Sequence, residues 1–288
     1  MRVCTILKGG RYHVAVQTSE STVAVLTPQT FGLRSVSQLI SQGAAIQTDI
    51  QAAIKSGKME QIDIDSVQFA PPIVRPPKII CIGQNYSQHA TEMGSVAPTL
   101  PIIFSKFSSA VCAHGDNVVL PLIAEKVDYE AELVVVIGTP AKFIDRSRAL
   151  EHVFGYTCGN DISSRDWQKG KPGGQWLLGK TFDTFAPVGP CIVTADELAD
   201  PQNLRVQMLL NGEIMQDQST ADMIFPIDEL IAHISQFVTL EVGDLIFTGT
   251  PSGVGAARTP PRFLAPGDDI EVKIESVGTL KNTVAASQ

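Results

Sequence analysis

The sequence has little of what marks several large protein classes. Only five cysteines occur in 288 residues, and they are widely spaced with no C-x-x-C pair. This pattern fits neither a disulfide framework nor a structural zinc site, and it favours a reducing compartment. Basic charge is also scarce, because 22 Lys and Arg face 30 Asp and Glu for a net charge of −8. We expect no nucleic-acid partner, since a duplex would meet mostly repulsion.

Long hydrophobic runs are missing as well. Uninterrupted apolar segments such as residues 133–137 are far shorter than the roughly 20 residues that a membrane-spanning helix needs. The start of the chain lacks a basic segment followed by an apolar one. We therefore expect no membrane partner and no clear transit peptide. The expected location is the cytoplasm, with mitochondria as the alternative.

The first 70 residues are predicted to form a small α/β accessory domain. Short β-like stretches at residues 3–7, 12–16 and 22–26 precede residues 35–58, where apolar side chains recur at helical spacing. Prolines then follow in pairs at 71–72 and 76–77, and they block helices and central-strand pairing. We predict an accessory domain at 1–70, a proline-rich linker at 71–78 and a catalytic domain at 79–288.

The remainder of the chain favours strands over helices. Asn211-Gly212 is a hairpin signal, and residues 226–237 predict one amphipathic helix with Leu230, Ile231, Ile234 and Phe237 on one stripe. Strand-like segments cut by glycine and proline occur at 79–83, 102–104, 133–138, 188–194, 206–210, 244–249 and 269–274. The predicted fold class is α+β, mainly β.

Two acidic residues stand at the start of an apolar run. If residues 128–138 form a strand, Glu130 and Glu132 point the same way, with Cα atoms about 6 to 7 Å apart. An alternative is two charges on the exposed face of an edge strand. The following run, Leu133 to Ile137, is typical of a strand buried on both faces, where unpaired carboxylates are very unfavourable. A cation is therefore expected between them.

A third acid, Asp161, ends another apolar stretch, although it could simply cap a helical turn. Three carboxylates without a histidine or cysteine cluster form an all-oxygen ligand set. Such a set suits Mg²⁺, Mn²⁺ or Ca²⁺ rather than Zn²⁺.

Two further patterns suggest proton transfer and charge stabilisation. His89 and Glu92 are three residues apart, so on a helical turn the carboxylate could orient the imidazole for general acid/base work. The alternative is a solvated surface pair. Lys180 lies among apolar residues, where an ammonium group needs an anion unless the side chain extends to solvent.

A glycine-rich loop at 247–255 follows an apparent strand. Backbone N–H groups around Gly249 and the hydroxyl of Thr250 are good partners for a carboxylate. The loop lacks the Lys-Ser/Thr ending of a phosphate-binding Walker loop, and its spacing misses the dinucleotide fingerprint. The other interpretation is a turn-rich connection.

These motifs in this order resemble the fumarylacetoacetate hydrolase family. The resemblance covers residues 78 to about 282, and residues 175–185 look like the branch called fumarylacetoacetate hydrolase domain-containing protein 2. The first 70 residues match only loosely. The matching motifs are Gly83…Asn85-Tyr86…His89…Glu92, residues 102–106, Glu130-x-Glu132, Asn160-Asp161…Arg165-Asp166-Trp167-Gln168, residues 180–184 and Gly249-Thr250-Pro251-x-Gly253-Val254-Gly255.

The resemblance implies a mixed β-sandwich roll, usually a homodimer, that acts on a 2-oxo acid or a 1,3-dicarbonyl acid. It implies a divalent metal, commonly Mg²⁺, at the residues that match the family's ligands, and a metal-stabilised enolate. The implied metal ligands are Glu130, Glu132 and Asp161, the substrate contacts are Arg165, Gln168, Lys180 and Thr250, and the acid/base pair on a lid is His89 and Glu92. Lys180 would add positive charge at the developing oxyanion.

One departure from the family pattern bears on the reaction. Fumarylacetoacetase has an additional aspartate ligand before its catalytic histidine, whereas this chain has Gln84 and Asn85, and Glu92 replaces an amide. We therefore expect oxaloacetate keto–enol tautomerisation first, with oxaloacetate decarboxylation and acylpyruvate C–C hydrolysis as alternatives. A metal-binding protein without turnover is the alternative from another class.

Overall fold

The structure is a computed structural model that describes residues 1–57, 59–171 and 174–287. Strands dominate these residues, as predicted. The strands are β1 Arg2–Lys8, β2 Arg11–Gln17, β3 Thr22–Leu26, β4 Gln61–Asp63, β5 Gln68–Ala70, β6 Ile79–Gly83, β7 Ile102–Lys106, β8 Val111–Cys112, β9 Asn117–Leu120, β10 Val127–Asp128, β11 Ala131–Ile137, β12 Val153–Asn160, β13 Ser163–Ser164, β14 Ala186–Thr194, β15 Arg205–Leu210, β16 Glu213–Ser219, β17 Leu245–Phe247, β18 Asp269–Ile274 and β19 Gly278–Ala286.

The α-helices are fewer than the strands in the described part of the chain. They are α1 Pro28–Phe31, α2 Val36–Ser41, α3 Gly43–Lys55, α4 Ser87–Glu92, α5 Arg165–Gln168, α6 Leu177–Lys180 and α7 Ile227–Phe237. None of the described helices is long and apolar enough to cross a membrane.

Two large sheets form the body of the molecule. The described residues place twelve strands in the first, whose main path is β4-β3-β2-β1-β14-β12-β11-β17-β6-β7. The second has the order β16-β15-β18-β19-β9. Strand β11 lies inside the first sheet, between β12 and β17, and it is buried at every position.

The side chains of β11 alternate between two hydrophobic cores, as a two-residue period requires. Leu133 and Val135 belong to the cluster that includes Val206 and Val272 of the second sheet. Val134 and Val136 belong to the cluster on the opposite face, which includes Leu39 of α2. The predicted α+β, mainly β fold class is confirmed, and β11 forms its centre.

The three N-terminal strands are found where the sequence predicts them, but the helix after them is not continuous. The predicted helix 35–58 breaks into α2 and α3 at Gly43, whose φ of +70° is a left-handed conformation that favours glycine. Its predicted last residue, Lys58, lies outside the described residues. Strand β1 pairs with β14, so the N-terminal strands extend the first sheet. The domain boundaries at residues 70 and 78 stay predictions. The predicted last residue of the catalytic domain, Gln288, lies outside the described residues.

The hairpin and the amphipathic helix are confirmed with one correction. Asn211 and Gly212 join β15 to β16, and α7 begins after Pro226 and buries Leu230, Ile231 and Ile234. Assigning Phe237 to the same buried stripe is wrong, because its side chain is 68% exposed. It is the last residue of α7, in the exposed stretch 236–239.

Candidate active site

The predicted site residues meet at one edge of the first sheet. This edge is formed by the ends of neighbouring strands, not by an outer strand. Strands β11 and β12 are antiparallel with Ala131 opposite Asn160, so the start of β11 and the end of β12 are adjacent. Glu130 therefore lies beside Asp161, whose backbone N–H donates to the Glu130 carbonyl at 2.9 Å. Strands β17 and β6 end at the same edge, because β17 is antiparallel to β11 and parallel to β6.

Three buried carboxylates form the centre of this edge. Glu130, Glu132 and Asp161 are 5%, 1% and 0% exposed, which excludes the edge-strand alternative for the two glutamates. Each offers an oxygen within 4.8 Å of the other two. Asp161 caps no helix, since its carboxylate is bound by lysine ammonium groups. The oxygen-only donor set fits a hard divalent cation such as Mg²⁺, Mn²⁺ or Ca²⁺.

The electrostatics of the carboxylates differ. Burial raises the pKa of Glu132, and the neighbouring charges of Asp161 and Glu130 raise it further. Burial also opposes ionisation of Glu130, but the charges of Lys180 and Arg165 outweigh it and lower that pKa. A cation bound among the three carboxylates would relieve the repulsion at Glu132.

Lys180 is a buried cation and does not extend to solvent. Its side chain is 2% exposed, and Nζ donates to Glu130 Oε2 at 2.7 Å and to Asp161 Oδ2 at 2.8 Å. Burial lowers its pKa, yet the charges of these two carboxylates outweigh burial and raise it. The short helix α6 thus delivers a permanent positive charge to the acidic centre.

Arg165 and Gln168 come from the single turn of α5. The Arg165 guanidinium contacts Glu130 Oε1 at 2.7 Å and donates to Gln168 Oε1 at 3.0 Å. Both side chains are buried. The arginine and the glutamine therefore form one polar wall next to the carboxylates.

His89 and Glu92 form the predicted pair on α4, directly after β6. His89 Nδ1 lies 2.8 Å from Glu92 Oε1. The surface-pair alternative is excluded for His89, which is 5% exposed. The second Glu92 oxygen accepts the Gly253 backbone N–H at 2.8 Å. Glu92 thus orients the imidazole and also fastens α4 to the glycine-rich loop.

The glycine-rich loop contacts the ends of the central strands. Gly249 N–H donates to Glu132 Oε2 at 2.7 Å, and Thr250 Oγ1 donates to the Ala131 carbonyl at 2.9 Å. Gly249 has a φ of +98°, and an added Cβ would lie 2.7 Å from the Asn85 Cβ. Glycine is required here because a side chain would push this loop away from Glu132.

A cavity of about 20 Å³ separates these groups. That is room for roughly one water molecule. Its lining includes His89, Glu130, Glu132, Arg165, Gln168, Lys180 and Thr250, together with Gln84, Met93, Lys169 and Trp176.

The sequence does not reveal the role of Lys106, although this residue ends the motif at residues 102–106. Nζ contacts Asp161 Oδ1 at 2.7 Å and donates to the carbonyls of Lys180, Ile162 and Phe185. Burial lowers its pKa, and Asp161 partly offsets that effect. Lys106 therefore holds a candidate metal ligand and the Lys180 backbone in place. A buried lysine in a strand gives no sequence signal, because only the fold shows its partners.

Asp128 is the second such residue. It is fully buried and accepts N–H bonds from Gly255 at 2.7 Å, from Ala256 at 3.0 Å and from Tyr129 at 2.9 Å. Arg165 Nε donates to it at 2.9 Å. One carboxylate therefore connects the glycine-rich loop to the arginine of the site.

We expect Asp128→Asn to destabilise the protein and weaken substrate binding. An asparagine NH₂ would face the N–H donors that now meet a carboxylate, which costs about 1–3 kcal/mol for a buried group left unpaired. Urea unfolding would show a lower midpoint, and KM would rise because Arg165 loses its support. Asp183→Asn, at an exposed position, is the matched control. Unchanged stability and unchanged KM in Asp128→Asn would contradict this role.

Comparisons with known proteins agree with this architecture. The sequence model described as fumarylacetoacetate (FAA) hydrolase C-terminal matches residues 78–285. Oxaloacetate tautomerase FAHD2A, mitochondrial, from Bos taurus is 46% identical over 251 residues, which are 87% of this chain and 80% of the relative. The fumarylacetoacetate hydrolase domain-containing protein 2 homolog of Dictyostelium discoideum is 50% identical over 233 residues, with 78% and 76% coverage.

A solved structure gives the same result. Maleylpyruvate hydrolase from Sphingobium sp. SYK-6, in complex with manganese(II) ion and pyruvate, aligns with a TM-score of 0.83 and 29% identity, covering 100% of both chains. The bovine relative and the Sphingobium protein are named as enzymes, which supports an enzyme of this family. By its matched domain, its relatives and its fold, this chain belongs to the fumarylacetoacetate hydrolase family.

Proposed function

We propose that this protein is a Mg²⁺-dependent tautomerase that interconverts the keto and enol forms of oxaloacetate. The observation that carries the proposal is a cluster of three buried carboxylates, two of which, Glu130 and Glu132, line the same cavity as His89. Glu92 holds the imidazole of His89 from outside that lining. The name of the bovine relative supports the choice of oxaloacetate. Maleylpyruvate hydrolase with manganese and pyruvate supports a divalent metal and a 2-oxo acid.

The residues of this chain divide the work as follows. Mg²⁺ held by Glu130, Glu132 and Asp161 would supply Lewis-acid activation of the keto acid. His89 would take the proton from C3 and return it to the C2 oxygen, because Glu92 occupies Nδ1 and leaves Nε2 for the substrate. Glu92 would stabilise the imidazolium that forms.

Charge and orientation come from the other side of the cavity. Lys180 would stabilise negative charge that develops on the substrate oxygen as the C3 proton leaves. Arg165, Gln168 and Thr250 would orient the acid. The Gly249 N–H is also expected to contact the substrate, but it already donates to Glu132. If it turned to the substrate, this candidate metal ligand would lose a hydrogen bond.

An enol-specific absorbance assay run beside pyruvate detection tests the proposal. With Mg²⁺ we expect the enol signal of oxaloacetate to relax faster than in buffer, with no matching release of pyruvate. EDTA should remove the acceleration, and added Mg²⁺ should restore it. Stoichiometric pyruvate would identify a decarboxylase instead. Cleavage confined to acylpyruvates would identify a C–C hydrolase, and full activity in EDTA would overturn the metal-dependent mechanism.

The expected homodimer is supported by an apolar groove. The groove has a volume of about 850 Å³ and runs along β7, at the edge of the first sheet. Ile103, Phe107 and Phe237 in its lining are 42%, 55% and 68% exposed, and such exposed apolar patches are typical of protein contacts. The mass of the purified protein by light scattering decides the oligomeric state.

The cellular location stays a prediction. The composition of the chain favours the cytoplasm and allows mitochondria, and the bovine relative is named as a mitochondrial protein. That name supports the mitochondrial alternative.

A further inference from the structure

One cation of the cavity has no role in the mechanism above. Lys169 lines the cavity together with Gln84, Arg165 and Gln168, and its side chain is exposed. Its backbone is fixed, because its N–H donates to the Arg165 carbonyl at 3.1 Å and closes α5. The ammonium group therefore stands at the mouth of the site on a well-positioned main chain.

The other cations of the site already have carboxylate partners. Arg165 contacts Asp128 and Glu130 at 2.8 and 2.7 Å. Lys180 is bound between Glu130 and Asp161, and Lys106 contacts Asp161. Within the described part of the chain, by contrast, no carboxylate lies within 4.0 Å of the Lys169 ammonium.

The surroundings of Lys169 disfavour an unpaired positive charge. Partial burial lowers the pKa of Lys169, and the charge of Arg165 lowers it further, with a smaller effect from Lys180. Glu130 acts in the opposite direction without forming a contact. An anion bound at the mouth would stabilise this ammonium group.

We propose that Lys169 binds the carboxylate at the far end of a dicarboxylic 2-oxo acid, and so makes the enzyme specific for dicarboxylates. This inference rests on the proposed function, since the near carboxylate and the keto oxygen must face the acidic centre. The far carboxylate of such an acid then points to the mouth, where Lys169 is the cation without a partner among the described residues. A lysine suits this place because its flexible stem can follow the substrate as the site closes.

Calorimetry and kinetics on Lys169→Met test the inference. Binding to the magnesium-loaded protein would be measured with 2-oxoglutarate, a stable dicarboxylate, and with 2-oxobutanoate, a monocarboxylate. We expect 2-oxoglutarate to bind about ten-fold more weakly, as the loss of one charged hydrogen bond predicts, and 2-oxobutanoate to bind equally well. KM for oxaloacetate should rise by about the same factor with kcat nearly unchanged.

Matched variants separate this role from a general effect of charge. Lys169→Arg should recover most of the 2-oxoglutarate affinity. Lys126 is exposed, and Lys126→Met should leave the affinity for both ligands unchanged. Equal weakening of both ligands in Lys169→Met, or no weakening of either, would overturn the inference. If the wild type fails to turn over oxaloacetate while the ligand difference persists, the proposed function fails and the role of Lys169 stands.

Discussion

Glu132→Gln is expected to weaken divalent-metal binding by at least about 100-fold, more than the loss of a supporting residue around a metal site. The substitution keeps the shape and the acceptor for the Gly249 N–H, but it removes the charge of one of three carboxylates within 4.8 Å. Titration calorimetry with Mn²⁺ and Mg²⁺ measures the affinity. Oxaloacetate turnover should fall to the background rate in the same variant.

The same substitution should not destabilise the metal-free protein. Burial, Asp161 and Glu130 raise the pKa of Glu132, so its ionised form is unfavourable in the fold at neutral pH. In EDTA, we expect the Tm of Glu132→Gln to equal or exceed that of the wild type. Added Mg²⁺ should raise the wild-type Tm and leave the variant unchanged.

Glu213→Gln, at an exposed position, is the control for the loss of one glutamate charge. Wild-type metal affinity in Glu132→Gln would refute the ligand role. If the Tm of Glu132→Gln fell strongly in EDTA, the role of Glu132 would be to stabilise the fold instead of binding metal.

His89→Ala is expected to lower kcat by roughly 10² to 10⁴ while metal affinity stays the same. This loss corresponds to about 3 to 5 kcal/mol of barrier lowering. The physical reason is that His89 lines the cavity and is oriented by Glu92 through Nδ1. Steady-state kinetics with saturating Mg²⁺ gives kcat, and calorimetry on the same sample gives the metal affinity.

Two further variants define the role of the histidine. Glu92→Gln retains a hydrogen-bonding side chain but loses the charge that stabilises an imidazolium, so kcat should fall less than in His89→Ala. His233→Ala, half-buried on α7 and outside the cavity lining, should retain wild-type kcat. Full activity of His89→Ala on every substrate that turns over would remove the histidine from the mechanism.

Much of the site could be predicted because it depends on local periodicity. The two-residue spacing of Glu130 and Glu132 and the apolar run after them predict two acids beside a buried strand. The predicted strand 128–138 is interrupted, however, because β11 begins at Ala131 and Glu130 lies directly before it. The three-residue spacing of His89 and Glu92 needs only one helical turn to bring the imidazole and carboxylate together. Placing Asp161 beside the glutamates required more, since sequence alone leaves the antiparallel register of β11 and β12 open.

The wrong and missing predictions concern features that local apolar spacing does not show. The predicted helix 35–58 follows the apolar spacing but breaks at Gly43, where the left-handed backbone conformation ends the periodicity. Phe237 has the right spacing on α7 and is nevertheless exposed, because burial depends on what packs there. Lys106 and Asp128 bind partners more than 35 residues away in sequence, which no local pattern reveals.

The sequence by itself determined the strand-rich class, the oxygen-only ligand chemistry and the local pairing of imidazole with carboxylate, since these follow from composition and short-range spacing. The tertiary structure decided which residues share the site. It brought four strand ends to one edge of the sheet and placed Lys180 between two carboxylates. It also placed Lys169 at the mouth of the cavity, where no carboxylate of the described residues pairs with it. These relations arise from long-range strand pairing, and residues distant in the chain become neighbours only when the sheet forms.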